Sequence, residues 1–94
     1  MRYVQMTNSF KHDLKREGKG RYRHILDNEL GDVIETLAYD GLLSYSYRDH
    51  QLIGKWLGCR ECHLAPNLLL VYRYDGDDKL ILEALGSHSE VFGL

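Results

Sequence analysis

One short stretch concentrates the donor atoms of this chain. "GCRECHLAPN" runs from Gly58 to Asn67, and its centre is Cys59-Arg60-Glu61-Cys62-His63. Two cysteines three apart, followed at once by a histidine, have the spacing of a haem attachment site. With another histidine, the same donors could also compose a zinc site. His50 precedes the stretch and His88 follows it. Imidazoles titrate near neutral pH, so these three histidines on one surface would suit proton transfer.

The flanking residues discriminate between these chemistries. Gly58 and Pro66 bracket the segment and leave too few residues for a stable helix. As a strand, it puts Cys59, Glu61 and His63 on one face and Arg60, Cys62 and Leu64 on the other. The two sulfurs then point to opposite sides, and only a tight turn would bring them to one metal. A haem would want a second axial ligand, yet the methionines, Met1 and Met6, lie in the first strand region. The expectation is no metal and no cofactor. Cys62 reads as a small buried core residue, and His63 as exposed on the opposite face of the sheet.

The elements that must position these residues follow from periodicity. "RYVQM" alternates as a short first strand. Thr7, Asn8 or Ser9 can cap a helix carrying Phe10 and Leu14, which Gly18 and Gly20 end. A longer helix is predicted from about Arg23 to Tyr39, with Leu26, Leu30, Val33, Ile34 and Leu37 in a one-sided stripe stopped at Asp40-Gly41. Helical period then disappears. "HQLIGKW", "CRECHL", "LLLVYRY" and "KLILEAL" are short, β-rich and separated by turn residues, the last two joined through Asp75-Gly76-Asp77-Asp78. His50 and His88 fall at strand ends. The expected fold class is α+β: an N-terminal strand and a helical hairpin packed on one face of a mostly antiparallel four-stranded sheet.

Bulk properties set the limits. Ninety-four residues, 44% of them hydrophobic, suffice for a single compact domain over residues 1–94, with a radius of gyration of about 12 Å. No 18-residue apolar run is present, so no membrane span is expected. The first twenty residues lack the apolar stretch of a signal peptide, which points to the cytoplasm, where thiols stay reduced. The net charge of −2 hides an asymmetry: residues 1–24 carry seven basic and two acidic side chains, the remainder five and twelve. A basic amino-terminal segment of this kind can meet phosphate, or simply be a solvated surface.

"RDHQLIGKWLGCRECHLAPNLLLVYRYDGDDKLILEALGSHSEVFG" resembles the carboxy-terminal half of the YafQ branch of the RelE/ParE superfamily. These are mRNA interferase toxins of bacterial type II toxin–antitoxin modules. The blocks that carry the likeness are "DH.L.G.W", "R..H..P", an apolar "LL.VY" strand and a closing "G.H...FG". The resemblance implies a RelE-like fold, ribosome-dependent cleavage of mRNA in the A site, and a cognate antitoxin of the DinJ/RelB kind in a hetero-oligomer. Carried over by position, the active-site histidines fall on His50, His63 and His88. The aromatic that holds a base or the backbone falls on Phe92, and the arginine ahead of the histidine, which would also contact RNA, on Arg60. After the proline the family usually has an aspartate. Here Asn67 stands in its place and can hydrogen-bond, but it cannot take a proton or hold charge.

Cleavage of this kind needs no metal, because the RNA supplies its own nucleophile. A base takes the 2′-hydroxyl proton, the oxygen attacks the adjacent phosphorus, and an acid protonates the leaving 5′-oxygen. The expected roles are His50 as base, His88 as acid, His63 on the phosphate, Asn67 orienting one histidine and Phe92 stacking on a base. Three alternatives stay open: a weakly active or non-catalytic relative that binds antitoxin and ribosome, a metal or haem protein built on the CxxCH, and a plain RNA-binding domain.

Overall fold

A computed structural model describes residues 1–93. Five strands form one sheet in the order β1-β5-β4-β3-β2, where β1 is Tyr3–Met6, β2 His50–Gln51, β3 Arg60–Ala65, β4 Leu68–Asp75 and β5 Lys79–Gly86. The sheet therefore has one strand more than expected. β1 does not pack on the sheet with the helices but joins it, parallel to β5, pairing Tyr3 to Met6 with Lys79 to Leu82. Its alternation specifies a strand but not a partner. The partner is the otherwise unpaired backbone edge of β5, a long-range choice.

Helix α1, Asn8–Glu17, starts where Thr7 accepts a hydrogen bond from the Phe10 N–H at 3.0 Å. The Thr7 hydroxyl also donates to the Glu83 carbonyl at 3.0 Å, which fixes α1 to β5. The predicted second helix is three consecutive pieces: α2 (Arg23–Ile25), a π-helical turn (Leu26–Leu30) and α3 (Gly31–Ala38). Its apolar stripe packs on the sheet as expected, with Leu26, Leu30, Val33 and Leu37 buried beside Phe10, Cys62, Leu70 and Tyr72. The radius of gyration is 12.3 Å. Among the described residues no helix is long and apolar enough to cross a membrane.

"HQLIGKW" departs from expectation. Only His50 and Gln51 pair with β3. Gly54, at φ +68°, then turns the chain into a 3-10 turn, Gly54–Trp56, because a left-handed residue cannot continue a ladder. This segment folds back over the sheet face opposite the helices. There Leu52, Trp56 and Val91 cover a smaller core of Cys59, Val71 and Ala84.

The second departure lies at the end of the chain. His88 does not close a strand but begins a short helix, α4, His88–Phe92. Ser87 caps it by accepting from the Glu90 N–H at 3.1 Å, and Glu90 Oε1 accepts from the Ser87 N–H at 2.9 Å. This reciprocal pair is a capping box, and "SHSE" carries its spacing. Gly86 allows the junction to be tight, since a Cβ there would meet the Arg16 guanidinium at 2.8 Å. Arg16 donates to the Leu85 carbonyl at 2.9 Å and pairs with Glu90 at 3.2 Å, tying α4 to α1.

Candidate active site

Strand pairing assembles the first part of the site. His50 on β2 stands opposite Glu61 on β3, and His63 follows two residues later on the same face. The register of β3 against β4 shifts between His63 and Ala65. Cys59, Glu61 and His63 do share a face, as alternation requires. That face is less open than expected, however. The Trp56 segment and α4 lie over part of it, and the His63 side chain is only 14% exposed, against 51% for His50.

The rings form a row. His50 and His63 have centroids 6.1 Å apart, His63 and His88 5.8 Å, and His88 and Phe92 6.4 Å. Phe92 meets Trp56 edge-on at 5.8 Å, which fixes the end of the row. The structure thus brings together all three predicted histidines and the predicted aromatic.

Hydrogen bonds choose which nitrogen works. His50 Nδ1 lies 2.7 Å from the Arg48 carbonyl, an obligate acceptor, so Nδ1 carries the proton and Nε2 faces the site. Nε2 is 2.9 Å from Glu61 Oε1, and His63 Nε2 is 3.5 Å from the same oxygen. A proton arriving on either imidazole is therefore met by one carboxylate. Glu61 is 5% exposed, and its Oε2 has no hydrogen-bond partner. Asn67, in the β3–β4 turn, places Oδ1 3.0 Å from His88 Nδ1 and accepts from the His88 backbone N–H at 3.1 Å.

Arg60 does not join this row. Its Nε donates to Asp49 Oδ1 at 3.1 Å, and the Tyr72 hydroxyl donates to Asp49 Oδ2 at 2.7 Å. This network sits on the helical face and grips the residue before His50. The cysteines also part as expected: Cys62 is fully buried in the main core and Cys59 lies in the smaller one. Burial, with the charges of Asp49 and Glu61, pushes the Cys62 thiol up to about 12. A different donor set does converge. One nitrogen from each of His50 and His63 and a Glu61 oxygen lie within 4.8 Å of one another.

Two residues beside the row carry little signal in the sequence. Glu61 sits centrally between two histidines, and its place on the His63 face of β3 was the available signal. Arg48 flanks the row, and nothing local marks it.

A family model described as the bacterial toxin of type II toxin–antitoxin system, YafQ, matches residues 2–93. The chain belongs to the YafQ family. Among curated YafQ proteins, the mRNA interferase toxin YafQ of Escherichia coli K12 is 33% identical over 94 residues, covering 98% of this chain and 97% of its own. The E. coli DinJ–YafQ complex contains a chain with TM-score 0.83 and 31% identity, covering 99% of this chain and all of the other. A copper-bound mutant toxin from Helicobacter pylori has TM-score 0.85 and 39% identity, covering 98% of this chain and all of its own. The sheet and the helical pair are thus those of a YafQ toxin.

Proposed function

We propose that this chain, acting as one domain, is a ribosome-dependent endoribonuclease that cuts mRNA in the A site and is silenced by a bound antitoxin. The single observation that carries this reading is the row His50–His63–His88–Phe92, spaced at 5.8 to 6.4 Å along one face. The mRNA interferase name of the E. coli relative and the DinJ–YafQ assembly support it.

The geometry supports the following roles. His50 Nε2 takes the 2′-hydroxyl proton, and Glu61 at 2.9 Å stabilises the imidazolium that forms. The freed oxygen attacks phosphorus, the P–O5′ bond breaks, and a 2′,3′-cyclic phosphate remains. His88, with Nδ1 held by Asn67, gives the proton on Nε2 to the leaving 5′-oxygen. His63 between them donates to a non-bridging oxygen, and Phe92 stacks on a base. Each proton transfer is worth roughly 10²–10⁴-fold. The electron count closes with groups of the RNA and the protein. Arg60 acts through Asp49 to hold His50 in place. The expected test result is new mRNA 5′ ends at codon boundaries on programmed ribosomes, lost in His88→Ala. Protein that arrests growth without producing such ends would place it with the non-catalytic relatives.

A second reading has one observation in its favour. Two imidazoles and a carboxylate with a spare buried oxygen fit a first-row transition ion. His50, Glu61 and His63 would hold it, at the expense of their part in proton transfer. The same imidazoles could then no longer carry protons. Calorimetric titration with copper or zinc should show one site that Glu61→Ala removes, and chelator-treated protein should cleave faster than loaded protein. Faster cleavage by the loaded form would make the ion a participant instead.

A further inference from the structure

Arg48 has an unusual position. It adopts a left-handed conformation, φ 51° and ψ 41°, which is unfavourable for a non-glycine residue. Two hydrogen bonds hold it there. Its N–H donates to the Tyr45 carbonyl at 3.0 Å, and its own carbonyl receives His50 Nδ1 at 2.7 Å. The backbone that orients His50 therefore also presents the Arg48 side chain.

That side chain shares a cleft of about 390 Å³ with His63, Ser46, Tyr47, Glu29 and Pro66. The other arginines near the sheet are already engaged. Arg2 pairs with Asp40, Arg16 with Asp13, Glu17 and Glu90, Arg60 with Asp49, and Arg73 with Glu83. Arg48 is exposed and has no side-chain hydrogen bond or ion pair among the described residues. Glu29, another wall of the cleft, accepts the Tyr47 hydroxyl at 2.6 Å. A cationic group and a carboxylate line the same cleft, so an anion should settle near Arg48 and His63, away from Glu29.

We infer that Arg48 binds a backbone phosphate of single-stranded nucleic acid, seating the nucleotide next to the scissile bond in the cleft beside His63. The inference rests on the nuclease reading for the identity of the neighbouring bond, but the binding does not require cleavage. A guanidinium suits the site because it can contact two phosphate oxygens at once. Strain stored in the Arg48 backbone matches a residue held for a ligand rather than for the core.

The probe is a fluorescent single-stranded DNA oligonucleotide, which lacks the 2′-hydroxyl and cannot be cut. Its affinity is measured by anisotropy across a salt series for the parent, Arg48→Ala, Arg48→Lys and Lys79→Ala. Lys79 lies at the end of β5 remote from His88 and serves as the control. Loss of one phosphate contact should reduce the slope of log affinity against log salt by about 0.7. Arg48→Ala should show that drop and bind several-fold more weakly at low salt, whereas Arg48→Lys and Lys79→Ala should keep the slope. An unchanged slope in Arg48→Ala, or a parent that does not bind the oligonucleotide, overturns the proposal. Ribosomal cleavage by the parent is scored separately. An Arg48-dependent slope without cleavage would sink the nuclease reading and leave this site standing, while cleavage with an Arg48-independent slope would do the reverse.

Discussion

Asn67 holds His88 at two points. Its Oδ1 lies 3.0 Å from His88 Nδ1 and accepts the His88 backbone N–H at 3.1 Å. The side chain thus positions both the imidazole and the first residue of α4. It fixes Nδ1 as a donor, which leaves Nε2 as the atom that can meet a substrate.

The amide does this without charge, and aspartate would add it. Asn67→Asp should favour the imidazolium of His88 and so increase the fraction of protein with a proton to give. Asn67 is exposed, so solvent screening keeps the gain small, up to about tenfold in rate or ~1.4 kcal/mol. Single-turnover cleavage of a programmed ribosome complex measures it. The alkaline limb of the pH–rate profile should also move to higher pH. A rate equal to or below the parent's would mean that Asn67 serves geometry alone, with Glu61 supplying the only charge the row needs.

Replacing His63 or His88 with alanine should relieve growth arrest while preserving antitoxin binding. His63 is largely covered, so His63→Gln should accompany His63→Ala to separate lost chemistry from lost packing. His12, on α1, and His24, on α2, lie outside the row, and their alanine variants should remain toxic. The comparison is growth after induction at matched protein levels. Full toxicity in a His63 or His88 variant would remove that residue from the site.

The thiols should be dispensable. A thiol pushed up to about 12 and fully buried forms no thiolate at pH 8, so Cys62 should resist iodoacetamide until the protein is unfolded. The Cys59→Ser, Cys62→Ala double variant should fold and cleave. Its stability loss, read from urea denaturation, should be about 1–2 kcal/mol, arising mainly from the small cavity at Cys62. Rapid alkylation of native Cys62 would contradict its place in the core.

Acid should loosen α4 before the rest of the fold. Glu90 is held below its ordinary value of 4.5, chiefly by its hydrogen bond to the Ser87 backbone and also by the Ser87 hydroxyl and Arg16. A depressed carboxylate contributes stability above its unfolded value and loses it as the pH falls through the folded one. The contribution is therefore complete above 4.5 and fades below it. Trp56, the chain's single tryptophan, touches Phe92 edge-on and reports the docking of α4. Its fluorescence should change on acidification ahead of the far-ultraviolet signal of the sheet. In Glu90→Gln that early change should vanish, and its persistence would point to another group.

Local pattern was enough to identify most elements and the faces of β3. A period of two put Glu61 and His63 together and turned Arg60 and Cys62 away, because side-chain direction in a strand depends only on parity. The stripe Leu26, Leu30, Val33 and Leu37 identified the buried side of its helix by the same local logic. Glycine and capping residues marked the ends of α1. Even α4 left a trace in Ser87 and Glu90, although His88 beside them reads equally well as a strand end.

What local pattern could not supply was partnership across the chain. β1 pairs with β5 some seventy-six residues later, and its own alternation is the same whether it joins the sheet or lies on it. His50, His63 and His88 become neighbours only because β2 pairs with β3 and Asn67 captures α4. Arg60 and Asp49 are eleven residues apart, and their bond depends on the Tyr72 hydroxyl reaching across from β4. The residues at these positions specify which chemistry is available. Tertiary packing decided which of them meet, because hydrogen-bond and ring contacts depend on distances that strand pairing sets and spacing along the chain does not.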